Sequence, residues 1–178
     1  MIFDLPARRT KMNAKILIEK LGLQPHPGEG GFYRETYRCL ENIPKSALPD
    51  RYRGERSFGT AIVYLLTRKT FSALHRLPTD EIFHFYLGDP VTMLQLKSDG
   101  TGRIVTLGPD ILAGQLVQCV VPGNIWQGMF LHDGGDFALL GTTMAPGFDF
   151  ADFEPGRRED LIAQYGEYGD LIRRLTTV

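Results

Sequence analysis

His75-Arg76-Leu77-Pro78-Thr79-Asp80-Glu81-Ile82-Phe83-His84-Phe85-Tyr86-Leu87-Gly88 reads as strand, turn, strand. Pro78 to Asp80 carries turn chemistry, so the flanking arms, Phe71 to Arg76 and Ile82 to Leu87, are expected to run antiparallel with His75 beside Glu81. Alternation along the second arm sets Glu81, Phe83, Phe85 and Leu87 on one face and Ile82, His84 and Tyr86 on the other.

Outward from this unit, short runs rich in β-branched and aromatic residues recur at intervals of about ten residues. They are Phe32 to Arg38, Ser57 to Leu66, Val91 to Lys97, Arg103 to Leu107, Leu116 to Val121, Ile125 to Leu131 and Phe137 to Met144. Asp99-Gly100 and Asp133-Gly134 supply residues that tolerate the left-handed conformation of tight hairpins. Such spacing predicts an all-β sandwich or barrel, with a jelly roll among the ways to close it. Ahead of the strands, Asn13 precedes the stripe Ala14, Leu17, Ile18 and Leu21, and Gly22 follows, the pattern of a short capped helix. A Pro- and Gly-rich loop comes next, and His26 within it carries no assigned role. Leu40 to Glu55 lacks a period and reads as a surface loop. After Pro146-Gly147, the aromatics Phe148, Phe150 and Phe153 are expected to pin a tail with two short helical patterns, near Leu161 to Tyr165 and Leu171 to Leu175. The whole is one domain over residues 1–178: helix 12–22, barrel 31–147, tail 148–178.

Composition narrows the function classes. The 178 residues, 43% of them hydrophobic, suffice for one core without a structural metal or disulfide. Twenty Lys+Arg against 21 Asp+Glu give a net charge of -1 with no basic block, which points away from nucleic acid. Apolar stretches such as Ala61 to Leu66 are far shorter than the roughly 18 to 20 residues of a membrane span. Pro6 stands where a signal peptide would need its apolar core, and Cys39 and Cys119 have no partner at motif spacing, so a reducing, cytoplasmic setting is expected.

Of the four histidines, two fall in the quoted run. A carboxylate beside His75 would fix the imidazole tautomer and raise its basicity, giving a general base; the same two groups could instead ligate one metal ion, or form a purely structural pair. His84, on the opposite face by parity, reads as a packing or contact histidine, or as a ligand contact from an unexpected direction. Gln127 presents a donor and an acceptor to a ligand or to a neighbouring strand. Trp126 beside it faces the other way and reads as packing.

His75 to Gly88 resembles the first cupin motif, G-x5-H-x-H-x3-4-E-x6-G, and Val121 to Gln127 resembles the second. Leu23 to Pro27, Gly30 to Tyr37, Asp80 to Tyr86 and Ala145 to Phe150 are similar to the cupin_5 family, also called domain of unknown function 985. The resemblance implies a cupin jelly-roll β-barrel, a homodimer paired through edge strands, and a cavity lined by His75, Glu81, Gln127, Phe83 and Phe85. Metal-dependent cupins hold a divalent ion with three His and one Glu; here the second His position is Leu77 and the third is Gln127. The metal-free precedent is the dTDP-sugar 3,5-epimerase type, in which a histidine at the position of His75 acts as base. The expectation is therefore a binder, or metal-free isomerase, for a polar, carbohydrate-like small molecule, with His75 and Glu81 catalytic and Gln127, Phe83, Phe85 and His84 as ligand contacts. Two alternatives stand beside it: an enzyme using one divalent transition metal held by His75 and Glu81, and a noncatalytic binding or storage-like protein.

Overall fold

Asn13 starts the first helix as the sequence predicts. Its side chain accepts from the Ile16 N–H at 3.0 Å, and Gly22, at φ 62°, closes α1 (Ala14–Leu21) in the left-handed conformation. The computed structural model describes residues 12–177; Pro6 and the expectation built on it lie outside the described residues.

The strands follow in order: β1 (Gln24–Pro25), β2 (Phe32–Arg38), β3 (Asn42–Ile43), β4 (Arg56–Ser57), β5 (Thr60–Thr67), β6 (Phe71–Arg76) and β7 (Glu81–Gly88). Then come β8 (Val91–Leu96), β9 (Gly102–Leu107), β10 (Gln118–Val121), β11 (Trp126–Leu131), β12 (Phe137–Met144) and β13 (Glu154–Pro155), followed by α2 (Arg158–Gln164) and α3 (Gly169–Arg174). One sheet has the order β1-β2-β5-β12-β7-β10 and the other β13-β6-β11-β8-β9, with antiparallel pairing between neighbours. The all-β sandwich expected from the spacing, closed as the jelly roll that the cupin resemblance implies, is the architecture found.

One pairing differs. β6 and β7 do not form a hairpin: β6 pairs with β11 and β13, and β7 with β10 and β12. The Pro78–Asp80 connection crosses from one sheet to the other, so His75 and Glu81 converge across the sandwich and not along a ladder. Pro78 to Asp80 would serve either geometry, so local sequence does not choose between them.

Period-2 alternation divides the apolar side chains. Between the sheets lie Tyr64 and Leu66 of β5, Phe83 and Phe85 of β7, Met93 of β8, and Met129 and Leu131 of β11. The intervening residues pack outward: Leu94, Leu96 and Phe130 against Leu161, Tyr165 and Ile172 of the tail, and Leu65 and Leu139 against Leu17 and Leu23. Each fully buried Leu, Phe or Met contributes about 1.5 to 3 kcal/mol over leaving it exposed, which is why both sheets carry cover on their outer faces. Cys119 is buried between the sheets, Cys39 is half-buried, and both are free thiols.

Leu40 to Glu55 is more than a surface loop. It contributes β3, which pairs with β4, and it sends Tyr52 inward to 1% exposure, where its hydroxyl meets Thr79 Oγ1 at 2.7 Å. No helix among the described residues is long and apolar enough to cross a membrane.

Candidate functional site

The Gly/Pro-rich loop before β2 is held against the barrel by a tight approach. Gly31 sits at φ 70°, and a Cβ there would lie 2.7 Å from the Tyr64 hydroxyl, which donates to the Gly30 carbonyl at 2.7 Å. This contact presents His26 and Glu29 to a cavity of about 240 Å³. β6 and β7 bring His75 and Glu81 to the same space, β12 brings Thr142, and Phe150 and Phe153 of the tail wall it on another side. Phe153 stacks on the His75 ring at 5.1 Å between centroids, so the expectation that the tail aromatics pin this segment to the barrel holds at the site itself.

The two histidines are set in opposite tautomers by the backbone. His75 Nδ1 lies 2.8 Å from the Ala73 carbonyl and 3.3 Å from Glu29 Oε2, so Nδ1 carries the proton and Nε2 is an acceptor that faces the Gln127 amide at 3.4 Å. His26 Nδ1 accepts from the N–H groups of Gly28 and Glu29 at 3.3 and 3.0 Å, so its proton is on Nε2, 3.6 Å from Glu29 Oε1. Ser72 donates to Glu29 at 2.8 Å. Glu29 therefore has three donors turned toward it.

Burial dominates the electrostatics. It pushes the Glu29 carboxyl up to about 7 against the Ser72 hydrogen bond, and it raises Glu81 to about 7 with help from the repulsion of Glu29. The same desolvation lowers His75 against the attraction of Glu81, and brings His26 down to about 4 with the charge of His75 adding to the effect. The site thus pairs neutral imidazoles with carboxyls that gain or lose a proton near neutrality, a combination suited to acid–base exchange.

Gln127, 2% exposed, donates through Nε2 to Glu81 Oε2 and faces His75 Nε2 at 3.4 Å. It stands behind His75 and Glu81 and does not line the cavity. Its Oε1 is a buried side-chain acceptor without a partner among the described residues.

Three expected ligand contacts lie elsewhere. Phe83 and Phe85 share the inward face with Glu81, but they sit deeper, packed between the sheets, and do not line the cavity. His84 points to the outer face of its sheet, as parity requires, with Nε2 3.0 Å from Thr143 Oγ1 and Nδ1 3.2 Å from Gln118 Nε2. Conversely, the sequence pattern assigns no role to His26 and does not single out Glu29. The available signal was an imidazole three residues before a carboxylate, followed by Gly30-Gly31, where a close backbone approach is needed.

A resident metal of the three-His, one-Glu kind does not fit this donor set. Leu77, buried and apolar, occupies the second His position, and the third position presents the amide Nε2 of Gln127, a donor where a lone pair is required. Among the described residues no group of three or more His, Cys, Asp or Glu side chains is arranged to hold a metal ion.

Comparison with known proteins agrees with this architecture. Residues 15–155 match Cupin_5, the Cupin superfamily (DUF985) family. Uncharacterized protein YML079W of Saccharomyces cerevisiae is 27% identical over 140 residues, 74% of this chain and 70% of that one. Protein SO0799 of Shewanella oneidensis superposes with a TM-score of 0.82 at 32% identity, covering 93% of this chain and 98% of that chain. A hypothetical protein from Leishmania major gives 0.81 at 30% identity, covering 94% and 100%. Oxalate decarboxylase of Bacillus subtilis shares the fold alone, with a TM-score of 0.51 at 14% identity over 86% of this chain and 37% of that one. With the family match spanning most of the barrel, and the two-sheet jelly roll beneath it, the chain belongs to the Cupin_5 (DUF985) family of the cupin superfamily.

Proposed function

We propose that the cavity binds a polar, carbohydrate-like small molecule and that the protein acts on it as a metal-free isomerase or epimerase, with His75 Nε2 as the base. The observation that carries this reading is the His75 ring itself: Nδ1 is spent on Ala73, burial keeps the ring neutral, and it lines the cavity beside the carboxyl of Glu81. Carboxyls and hydroxyls match a ligand rich in hydroxyl groups, and Phe150 and Phe153 offer flat apolar faces to a sugar ring.

In such a reaction Nε2, turned from the Gln127 amide that it faces at 3.4 Å, takes the proton from a carbon next to a carbonyl. The C–H electron pair moves into the enolate, whose oxygen accepts a hydrogen bond from a protonated Glu81 or Glu29. The carboxylic acid of Glu29, on the cavity wall, gives its proton to the other face of that carbon to form the epimer, Glu81 then being the enolate's hydrogen-bond donor, and the proton on Nε2 leaves to solvent, from which Glu29 is reprotonated. Glu81 is held for this role by Gln127 and Thr142.

The test is solvent exchange. Keto-sugars and nucleotide sugars are incubated with the protein in D2O, and deuterium entry at the carbon next to the carbonyl is followed by NMR. His75→Asn keeps a side-chain N–H for the Ala73 carbonyl and removes the base, so it should cut exchange by roughly 10² to 10⁴. Equal exchange in that variant would sink the assignment. Binding without exchange in the wild type would make the protein a noncatalytic binder.

A further inference from the structure

A second cavity, of about 340 Å³, shares Phe153 and Leu77 as walls with the first. Its character is set by the sequence Arg51-Tyr52-Arg53. Tyr52 is the inward anchor, at 1% exposure and bonded to Thr79, so its neighbours on either side project outward. The Arg51 guanidinium lies over the Tyr52 ring at 4.9 Å, and on the opposite wall Arg76 lies over Trp126 at 4.5 Å.

The charges in this basin do not balance. Asp152 is consumed by Arg56, and Glu154 by both prongs of Arg76 at 2.8 Å. Asp80, on the nearby turn, accepts from the Gly123 N–H at 2.8 Å. Arg51 and Arg53 have no ion pair and no side-chain hydrogen bond among the described residues, and the side-chain amide of Asn124 in the same wall is likewise uncommitted. In another basic hollow both arginines, Arg68 and Arg174, are paired, with Asp136 and Asp133, and only Lys69 stands without an ion pair among the described residues.

We propose that the Arg51–Arg53 basin is an oxyanion subsite that takes a phosphate or sulfate ester group carried by the ligand of the His75 cavity. Two free guanidinium groups offer forked N–H donors suited to tetrahedral oxyanions, one of them held in place by its stacking partner. Oxyanion binding follows from the basin alone; the link to the ligand rests on the reading of the first cavity given above.

The experiment is calorimetric titration with inorganic phosphate, and in parallel with sulfate, at low ionic strength. Arg51→Gln/Arg53→Gln is expected to raise the phosphate Kd at least tenfold, whereas Lys15→Gln, an equal loss of charge on α1, leaves it unchanged. The ratio of phosphate to sulfate affinity identifies which ester the basin prefers. An unchanged Kd in the double variant, or no binding of either ion to the wild type at millimolar concentration, overturns the subsite. Glucose 1-phosphate tests the link: it should bind more tightly than both glucose and phosphate, and lose that advantage in the double variant. A glucose 1-phosphate Kd no lower than that of phosphate overturns the link. His75→Asn should leave inorganic phosphate binding intact, which separates failure of the subsite from failure of the proposed chemistry.

Discussion

Asp152→Ala tests what holds the tail against the cavity. The Arg56 and Asp152 side chains are 4% and 5% exposed, and they meet through two prongs, Nε to Oδ2 at 2.7 Å and Nη2 to Oδ1. Arg56 also donates from Nη1 to the Glu55 carbonyl at 2.7 Å, so it cannot swing to solvent without breaking a second contact. Removing the carboxylate leaves a buried guanidinium without its counter-charge, which costs about 3 to 5 kcal/mol. In a chain of this size each kcal/mol moves the melting temperature by about 2 to 4 °C, so a fall of about 6 to 20 °C is expected. Urea unfolding at neutral pH, followed by circular dichroism, reads the free energy directly. Asp152→Asn, which keeps one acceptor, should fall between wild type and Asp152→Ala. Replacing both partners by apolar residues, Arg56→Met with Asp152→Leu, should recover most of the loss. A cost under about 1 kcal/mol for Asp152→Ala, the value of an exposed pair, would refute the reasoning. Because Asp152 stands between Phe150 and Phe153, the same variant should weaken ligand binding at the cavity.

The buried carboxyls predict a pH dependence of stability. Glu29 and Glu81 titrate at about 7 in the folded protein against an ordinary value of 4.5, so the folded state holds protons that the unfolded chain has released, and their contribution to stability falls as pH rises from about 4.5 through 7. His26, at about 4 against 6.5, and His75, lowered by burial, work in the opposite sense below about pH 6.5 and offset the two carboxyls there, so the net decline should be concentrated from about pH 6.5 until the carboxyls have titrated just above 7. Urea midpoints across that range check this, and Glu81→Gln should flatten the decline; an equally steep decline in the variant would contradict the assignment. Tyr64→Phe removes the bond to the Gly30 carbonyl and should cost about 1 to 3 kcal/mol while loosening the loop that presents Glu29, measured as stability together with ligand affinity. Elemental analysis of untagged protein purified without chelator should give well under one transition metal per chain, given Leu77 and Gln127 at two ligand positions; a stoichiometric metal would require a donor set other than the one described.

The strand pattern was legible because alternation and turn residues are local properties. Phe71 to Arg76 and Phe137 to Met144 coincide with β6 and β12, and the caps Asn13 and Gly22 mark the ends of α1. Sheet membership was not legible, since a short turn after His75 is compatible with a hairpin or with a crossing between sheets. The site was half legible for a related reason. His75 and Glu81 lie in a recognisable motif on strands, but His26 and Glu29 reach the cavity through a loop whose path depends on Tyr64, distant in sequence. Parity correctly turned His84 outward, yet it could not report depth: Phe83 and Phe85 share the face of Glu81 and still fall in the core.

β6 has a late-arriving neighbour. One of its ladders is completed by β13, and the Leu74 N–H donates to the Leu175 carbonyl at 2.8 Å while the Gly156 N–H donates to the Leu74 carbonyl at 2.7 Å. Until that tail has left the ribosome, the strand carrying His75 is an open edge with unpaired backbone groups, although the rest of the barrel is already synthesised. Assembly of the His75 strand therefore waits for residues 154 to 175 to be synthesised, and chains stalled before residue 154 would expose this edge to other nascent chains.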